Sequence, residues 1–188
     1  VSVIIPAFNE RLAVSAVVRE VQRILDDHSI PGEIIVVDDG SRDNTAEAAW
    51  SAGARVLRNR SNRGYGATLK TGIMAATHNR ILITDADGTY PARYIPELVT
   101  GLDTADMVVG ARESEVDAAY RRGHRFGNRM LTGILARIFG RSFSDIFSGY
   151  RVFSRRFVKS FPVLSSGFEI ETEMSVHALE LRMPVGEI

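Results

Sequence analysis

The stretch Ile81-Leu82-Ile83-Thr84-Asp85-Ala86-Asp87-Gly88-Thr89-Tyr90-Pro91 decides how this chain is read. A short apolar run, with the composition of a buried strand, ends in two carboxylates one residue apart. Unpaired charges are too costly for a core, so Asp85 and Asp87 must lie where the strand leaves it. Gly88 and Pro91 then turn the chain away. Carboxylates this close repel each other unless something positive lies between them. A hard divalent cation suits oxygen donors, Mg²⁺ or Mn²⁺ rather than zinc. Mg²⁺ takes one or two protein carboxylates and fills its other positions with water and substrate phosphates. A solvated, Asp-rich turn is the plainer reading, because D-x-D-G is common turn chemistry.

The neighbouring segments repeat the theme. Val1 to Ile5 and Ile34 to Val37 are apolar, β-branched runs that read as strands buried on both faces. Arg55 to Leu57 and Met107 to Val109 are shorter candidates. Between them lie helical patterns. The first has Val14, Val17, Val18, Val21, Ile24 and Leu25 on one face. A second runs from Asp43 or Asn44 to Gly53, a third follows the turn at Gly64 as far as Thr77, and a fourth covers Pro91 to Leu102. Strands alternating with helices imply crossover connections and a mainly parallel sheet, an α/β class of fold. Ligands of such sheets bind beyond the carboxyl ends of the strands. Polar residues gather there: Pro6-Ala7-Phe8-Asn9-Glu10 read as a loop after the first strand, Asp38-Asp39 after the second, Asp85 and Asp87 after the fourth, and Arg112 after the fifth.

Beyond Arg112 the character changes. A basic amphipathic helix is expected from Arg121. Phe126, Met130, Ile134, Leu135 and Ile138 lie on one face, and Arg122, Arg125, Arg129 and Arg137 on another. Its basic face is either solvated or meets anionic headgroups or an anionic acceptor. Phe147-Ser148-Gly149-Tyr150-Arg151 is a turn delivering an arginine beside strand-like Val152-Phe153. Ser165 to Glu171 precedes a helix that runs to about Leu181. On an extended segment Glu169 and Glu171 would share a face. As acids at a helix N-terminus they would complement its dipole instead.

Composition bounds the rest. With 188 residues, 45% of them hydrophobic and 24% charged, the chain can bury one sizeable core, so a single domain over 1–188 is expected. Its 23 basic and 23 acidic residues cancel, so no global field points to nucleic acid. The lack of cysteine excludes disulfides and thiolate metal sites. The four histidines, His28, His78, His124 and His177, show no metal-ligand spacing and read as surface or packing residues. No apolar run approaches the ~20 residues of a membrane-spanning helix. The chain begins in mid-strand and ends on another strand-like segment, so a longer biological chain is expected. Gly64 to Thr71 nearly matches both a dinucleotide fingerprint and a P-loop, but Leu69 stands where each needs a glycine.

Taken together, Val3-Ile4-Ile5-Pro6-Ala7-Phe8-Asn9-Glu10, Val37-Asp38-Asp39-Gly40-Ser41, Asn62-Arg63-Gly64-Tyr65-Gly66 and Asp85-Ala86-Asp87 resemble the family 2 glycosyltransferases of the GT-A fold. Gly110-Ala111-Arg112, Ser148-Gly149-Tyr150-Arg151 and Ser166-Gly167-Phe168-Glu169-Ile170-Glu171 resemble their dolichol-phosphate mannosyltransferase and polyprenyl-phosphate glycosyltransferase branch. The resemblance implies a three-layer sandwich around a mainly parallel sheet, with a nucleotide-sugar half over 1–112 and an acceptor half over 113–188. It implies that Pro6, Ala7, Phe8, Glu10, Val37 and Asp38 hold the base and ribose, and that Gly64, Gly66 and Lys70 lie beside the donor. Asp85 and Ala86 would touch ribose and diphosphate. Asp85, Asp87 and Thr89 would bind Mg²⁺ or Mn²⁺. Arg112 and Arg151 would offer charge to phosphate, and Glu169 and Glu171 would face the sugar or the metal.

The activity so implied is inverting transfer of a hexose from a nucleotide diphosphate sugar to a polyprenyl or dolichyl phosphate. It would take place in the cytoplasm at the inner face of a membrane. Thr89 stands where the mannosyltransferases tend to carry glutamine, and Phe8 where they often carry tyrosine, which leaves GDP-mannose and UDP-glucose both open as donors. The alternatives are a soluble family 2 transferase acting on a saccharide or small acceptor, and a non-catalytic sugar-nucleotide binding module.

Overall fold

A computed structural model describes residues 1–111 and 148–188. The strands are β1 (Ser2–Ala7), β2 (Glu33–Asp38), β3 (Arg55–Arg58), β4 (Ile81–Ile83), β5 (Met107–Val109), β6 (Arg151–Phe153) and β7 (Val185–Glu187). The helices are α1 (Val14–Asp27), α2 (Thr45–Ser51), α3 (Tyr65–Ala75), α4 (Ile95–Gly101), α5 (Arg155–Ser160) and α6 (Ile170–Glu180). A 3-10 turn, Ala92–Tyr94, leads into α4, so the expected helix from Pro91 to Leu102 is split in two. Arg112, Phe147 and the expected basic helix from Arg121 lie outside the described residues.

The seven described strands form one sheet in the order β3-β2-β1-β4-β6-β5-β7. Pairing is parallel except at β6, which runs antiparallel to both β4 and β5. Alternation along the strands sends side chains into two cores. Val3, Ile5, Val36, Leu82, Val108 and Val152 pack on one face with α1, α2 and α4. Ile4, Ile35, Val37, Ile83, Met107 and Phe153 pack on the other with α3, α5 and α6. The result is the expected three-layer α/β sandwich. α3 lies close to the sheet because Gly72 lacks a side chain: a Cβ there would stand 2.5 Å from Ile4 Cγ2.

Two local expectations are corrected. Pro6 and Ala7 belong to β1 rather than to a loop, in register with Val37 and Asp38 of β2. The β4 side of the ladder ends at Ile4, so a proline beyond it interrupts no pairing there. Glu169 and Glu171 are not on an extended segment, because Glu169 stands at the N-terminal boundary of α6 in helical conformation and Glu171 lies in its first turn. Among the described residues no helix is long and apolar enough to cross a membrane.

At the amino end of the sheet, Glu33 gathers donors. Its Oε1 accepts hydrogen bonds from Ser2 Oγ at 2.7 Å, Thr77 N at 2.7 Å and Thr77 Oγ1 at 2.6 Å. Burial alone would raise this carboxyl's pKa. The bonds from Thr77 and Ser2 outweigh burial and bring it down from 4.5 to about 2. A carboxyl whose pKa is lowered by folding stabilises the native state above its unfolded value and loses that contribution as pH falls through the folded one. Glu33→Gln is therefore expected to lower the thermal midpoint at pH 7, with the gap from wild type closing between pH 4.5 and about 2. Thermal melts followed by circular dichroism across that range check it, and a gap that does not change with pH contradicts it.

Candidate active site

The carboxyl ends of β1, β2 and β4 form one rim, and hydrogen bonds from backbone N–H groups to side chains lock its loops together. Asn9, in the left-handed region at φ 59°, donates its N–H to Ser41 Oγ at 2.9 Å and accepts from Arg42 N at 3.0 Å. Asparagine tolerates that conformation better than most residues. Glu10 N donates to Thr45 Oγ1 at 2.9 Å. The Glu10 carboxyl pKa is raised, first by burial and then by the negative charges of Asp87 and Asp43. Asp38 is fully buried. Its Oδ1 accepts from Ser41 N at 3.1 Å. Its Oδ2 lies 3.0 Å from Arg58 Nε, but no hydrogen-bond donor among the described residues is aligned with it. The arginine therefore supplies charge at that oxygen rather than a directed bond.

Asp39 has a different task. Its carboxylate accepts from Asn59 Nδ2 at 2.7 Å, from Arg63 N at 2.9 Å and from Gly64 N at 2.9 Å, and so fixes the turn that opens α3. Gly64, at φ 91°, and Gly66 follow. A Cβ on either would stand 2.5 Å from a backbone oxygen, that of Ser166 or Ser165 respectively, and Gly66 N donates to Ser166 O at 2.9 Å. These glycines thus let the segment 161–168 dock on the first turn of α3. Lys70 lies one turn on in α3. It is exposed and borders a cavity of about 140 Å³ lined by Phe157, Phe161 and Met174, which none of the rim carboxylates lines.

At the end of β4 the acids divide. Asp87 is exposed, and its Oδ1 accepts from Thr89 N at 2.8 Å, so the Thr89 backbone shapes the turn. Thr89 itself is exposed, and Ala86 is buried between the two acids. Asp85 is half-buried and accepts from the Tyr65 hydroxyl at 3.1 Å. Over Gly149 three groups converge. A Cβ on that glycine would lie 3.1 Å from Tyr65 Oη, 3.2 Å from Glu171 Oε1 and 3.5 Å from Asp85 Oδ1. Burial, then the charges of Asp85 and Glu171, push the Tyr65 phenol above its ordinary pKa, so it remains a donor. Tyr90 holds the 148–151 segment in place: its hydroxyl accepts from Gly149 N at 2.9 Å, and its ring stacks on Tyr150 at 5.2 Å.

Glu171 therefore reaches the site, while Glu169 is exposed and folds back beside Gly167. Arg151 is 1% exposed and gives hydrogen bonds to Ser148 O at 2.7 Å and Ser175 Oγ at 2.9 Å. It is buried in the core rather than exposed at the rim. Among the described residues no group of three or more histidines, aspartates or glutamates could hold a metal ion alone. The donors that are present are an exposed Asp87 and a half-buried Asp85 at a strand end. That set fits a hard cation completing its shell with phosphate and water oxygens. Sequence reasoning missed Asp39, Tyr65 and Tyr90. The signal available was an aspartate doubled after a strand and an aromatic beside each glycine turn.

The fold is that of the GT-A class. Glucosyl-3-phosphoglycerate synthase of M. tuberculosis superposes with a TM-score of 0.80 at 24% identity, covering 99% of this chain and 68% of that one. The same enzyme crystallised with Mn²⁺, UDP-glucose and phosphoglyceric acid gives 0.81 at 22% identity, with the same coverage. At such identity the likeness is one of fold.

The chain belongs to glycosyl transferase family 2, whose model matches residues 2–161. It is 34% identical over 181 residues to glycosyltransferase AglJ of Haloferax volcanii, covering 94% of this chain and 57% of the relative. It is 30% identical over 155 residues to a dolichyl-phosphate hexose transferase of the same organism, covering 82% and 66%. It is 31% identical over 189 residues to the undecaprenyl-phosphate 4-deoxy-4-formamido-L-arabinose transferase of Edwardsiella ictaluri, covering 92% and 57%. The chain thus spans between 57% and 66% of the length of these three relatives.

Gly66→Val tests how the site is assembled. Its side chain would collide with Ser165 O, and overpacking of this kind costs about 1–3 kcal/mol. Hydrogen exchange is expected to rise across 161–168 while β1 and β2 stay protected. Unchanged exchange in that segment contradicts the docking role.

Proposed function

We propose that the chain transfers a hexose from a nucleotide diphosphate sugar to a polyprenyl phosphate, with inversion and with a divalent cation bound at Asp87 and Asp85. The observation that carries this reading is the end of β4, where an exposed Asp87 stands beside an Asp85 that converges with Tyr65 and Glu171 over Gly149. The lipid-phosphate acceptor is supported by two of the relatives, whose names specify dolichyl and undecaprenyl phosphate. The cation is supported by the structural neighbour crystallised with Mn²⁺ and UDP-glucose. Asp38, with a buried oxygen lacking a directed donor, suits recognition of a base or ribose by Pro6, Ala7, Phe8, Glu10 and Val37 around it.

In the reaction, an acceptor phosphate oxygen attacks the anomeric carbon as the bond to the donor's diphosphate breaks. When bound, the cation would neutralise charge building on the leaving diphosphate. Asp87, in a turn closed by Thr89 N, presents an exposed carboxylate to that complex. Asp85 and Glu171 bracket the glycine that leaves room for the sugar. A phosphate acceptor is already anionic at neutral pH, so Glu171 need not act as a base and serves to orient sugar hydroxyls. Arg112 would add positive charge at the phosphates. With such an acceptor the enzyme would work at a membrane surface, on its cytoplasmic side.

A second reading is transfer to a hydroxyl of a saccharide or small acceptor. The position of Glu171 beside Asp85 favours it, because a hydroxyl nucleophile needs a carboxylate base there. The structural neighbour crystallised with phosphoglyceric acid fits it too.

Asp87→Ala is expected to lower kcat/KM at least about 100-fold in the presence of Mn²⁺ while leaving the thermal midpoint nearly unchanged, since the side chain is exposed. Radiolabelled transfer from UDP-glucose and GDP-mannose to a short polyprenyl phosphate measures this. Near wild-type turnover in the variant contradicts the cation site. Transfer only to a soluble hydroxyl acceptor favours the second reading.

A further inference from the structure

Resting on the lipid-phosphate reading of the acceptor, we propose that the face built from α3 and the 161–168 segment docks on an anionic lipid bilayer. Met74, Leu164 and Phe168 enter its headgroup layer, and Lys70 meets the headgroup charge.

Three of the large apolar side chains that stay exposed among the described residues belong to these two segments: Met74 at 78%, Leu164 at 79% and Phe168 at 72%. They share a surface because the segments are joined along their length. At one end Phe168 stacks on Tyr65, the first residue of α3, with ring centroids 5.0 Å apart. One residue on, Gly66 N donates to Ser166 O at 2.9 Å. At the other end Lys70 and Met74 line one cavity together with Pro162 and Val163. Backbone strain accompanies the exposure. Val163 takes φ 49°, a region that β-branched residues rarely adopt, and the next side chain, Leu164, is left in solvent. Apolar side chains scattered singly over a surface are ordinary, whereas a gathered set marks a contact site.

Charge and position identify the partner. Arg63, just ahead of α3, and Lys70 within it are exposed, and Lys159 of α5 follows the cavity-lining Val158. Among the described residues no ion pair engages any of these three cations. Of the nearby acids, Glu169 is exposed, while the Glu173 carboxylate accepts from Leu164 N at 2.8 Å and Ser165 N at 2.9 Å. Apolar side chains set among lysine and arginine suit the boundary between acyl chains and anionic headgroups. The face also adjoins the rim. Tyr65 donates its hydroxyl to Asp85 at 3.1 Å, and α6, which Phe168 precedes, carries Glu171. An acceptor whose phosphate is held at a bilayer reaches these acids only if the face beside them meets that bilayer.

Flotation with vesicles of equal parts phosphatidylcholine and phosphatidylglycerol, against vesicles of phosphatidylcholine alone, tests the face. The wild-type protein is expected to float with the anionic vesicles. Met74→Ser combined with Leu164→Ser is expected to lower that partition by at least about tenfold. Lys70→Gln is expected to lower it about fivefold, on the anionic vesicles only. Trp50→Ser removes a side chain of similar exposure, 73%, from α2 on the opposite face of the sheet, and is expected to bind as the wild type does. Hydrogen exchange of the vesicle-bound wild type is expected to slow across 161–168 and α3. That measurement decides the matter should the double variant fail to fold, and its absence overturns the proposal. So do a wild type that stays with the unbound fraction, undiminished flotation of the double variant, or an equal loss in Trp50→Ser. A wild type that self-associates and becomes monomeric in the double variant overturns it too, because a second copy then covers the face. Transfer to a short, water-soluble prenyl phosphate by a protein that does not float leaves the reading beneath intact, whereas no transfer to any prenyl phosphate removes both.

Discussion

A buried strand that ends in two carboxylates sets the terms for the whole rim. β4 is apolar and enclosed through Ile83, and within the next four residues the chain must place Asp85 and Asp87. The two acids are handled differently. Asp87 is left in solvent, where its charge costs little. Asp85 is half-buried, and its charge is met by a tyrosine hydroxyl at 3.1 Å. The nearby Glu10 carboxyl has its pKa raised, by burial first and by Asp87 and Asp43 next. Negative charge thus accumulates at this end of the sheet, which is the condition under which a cation and the phosphates it carries are bound favourably.

Around that charge, the protein uses carboxylates and glycines as mechanical parts. Asp39 donates its N–H to Ala7 O at the end of β1, and its carboxylate clamps the turn before α3. Gly64 and Gly66 allow two backbones to approach within hydrogen-bond distance, which a side chain would prevent. Tyr90 and Tyr150 stack and tie 148–151 to the loop that carries Asp87. β6, the one antiparallel strand among those described, is what brings Gly149 to the rim: it runs from the site inward, opposite to β4 beside it. The first 111 residues therefore supply Asp85 and Asp87, and the described segment from Ser148 onward supplies Glu171 and the walls around them.

Much of this was legible in the residues. The unbroken apolar runs Val3-Ile4-Ile5 and Ile34 to Val37 pointed to the doubly covered sheet, because strands buried on both faces leave no polar register. The rim followed from where polar residues resume after each apolar run. What was not legible depends on tertiary contact. Pro6 reads as a strand breaker, and only the early end of β4 makes it tolerable in β1. Arg151 reads as an offered cation, yet Ser148 and Ser175 hold it in the core at 1% exposure. Glu169 and Glu171 read as a pair, and one helical turn sends them apart. Lys70 shares a helix with Tyr65 but faces an apolar cavity. The sequence names each group, and its surroundings in the fold, local for Glu169 and Glu171 and distant in the chain for Pro6 and Arg151, decide where it points.

The cation site at the end of β4 is tested most directly by locating the bound ion. A crystal of the protein grown with UDP and Mn²⁺, with diffraction data collected at the manganese absorption edge, would reveal it as an anomalous peak. That peak is expected within about 2.5 Å of an Asp87 carboxylate oxygen, beside the diphosphate. A nucleotide bound elsewhere, or a manganese peak away from the end of β4, would contradict it.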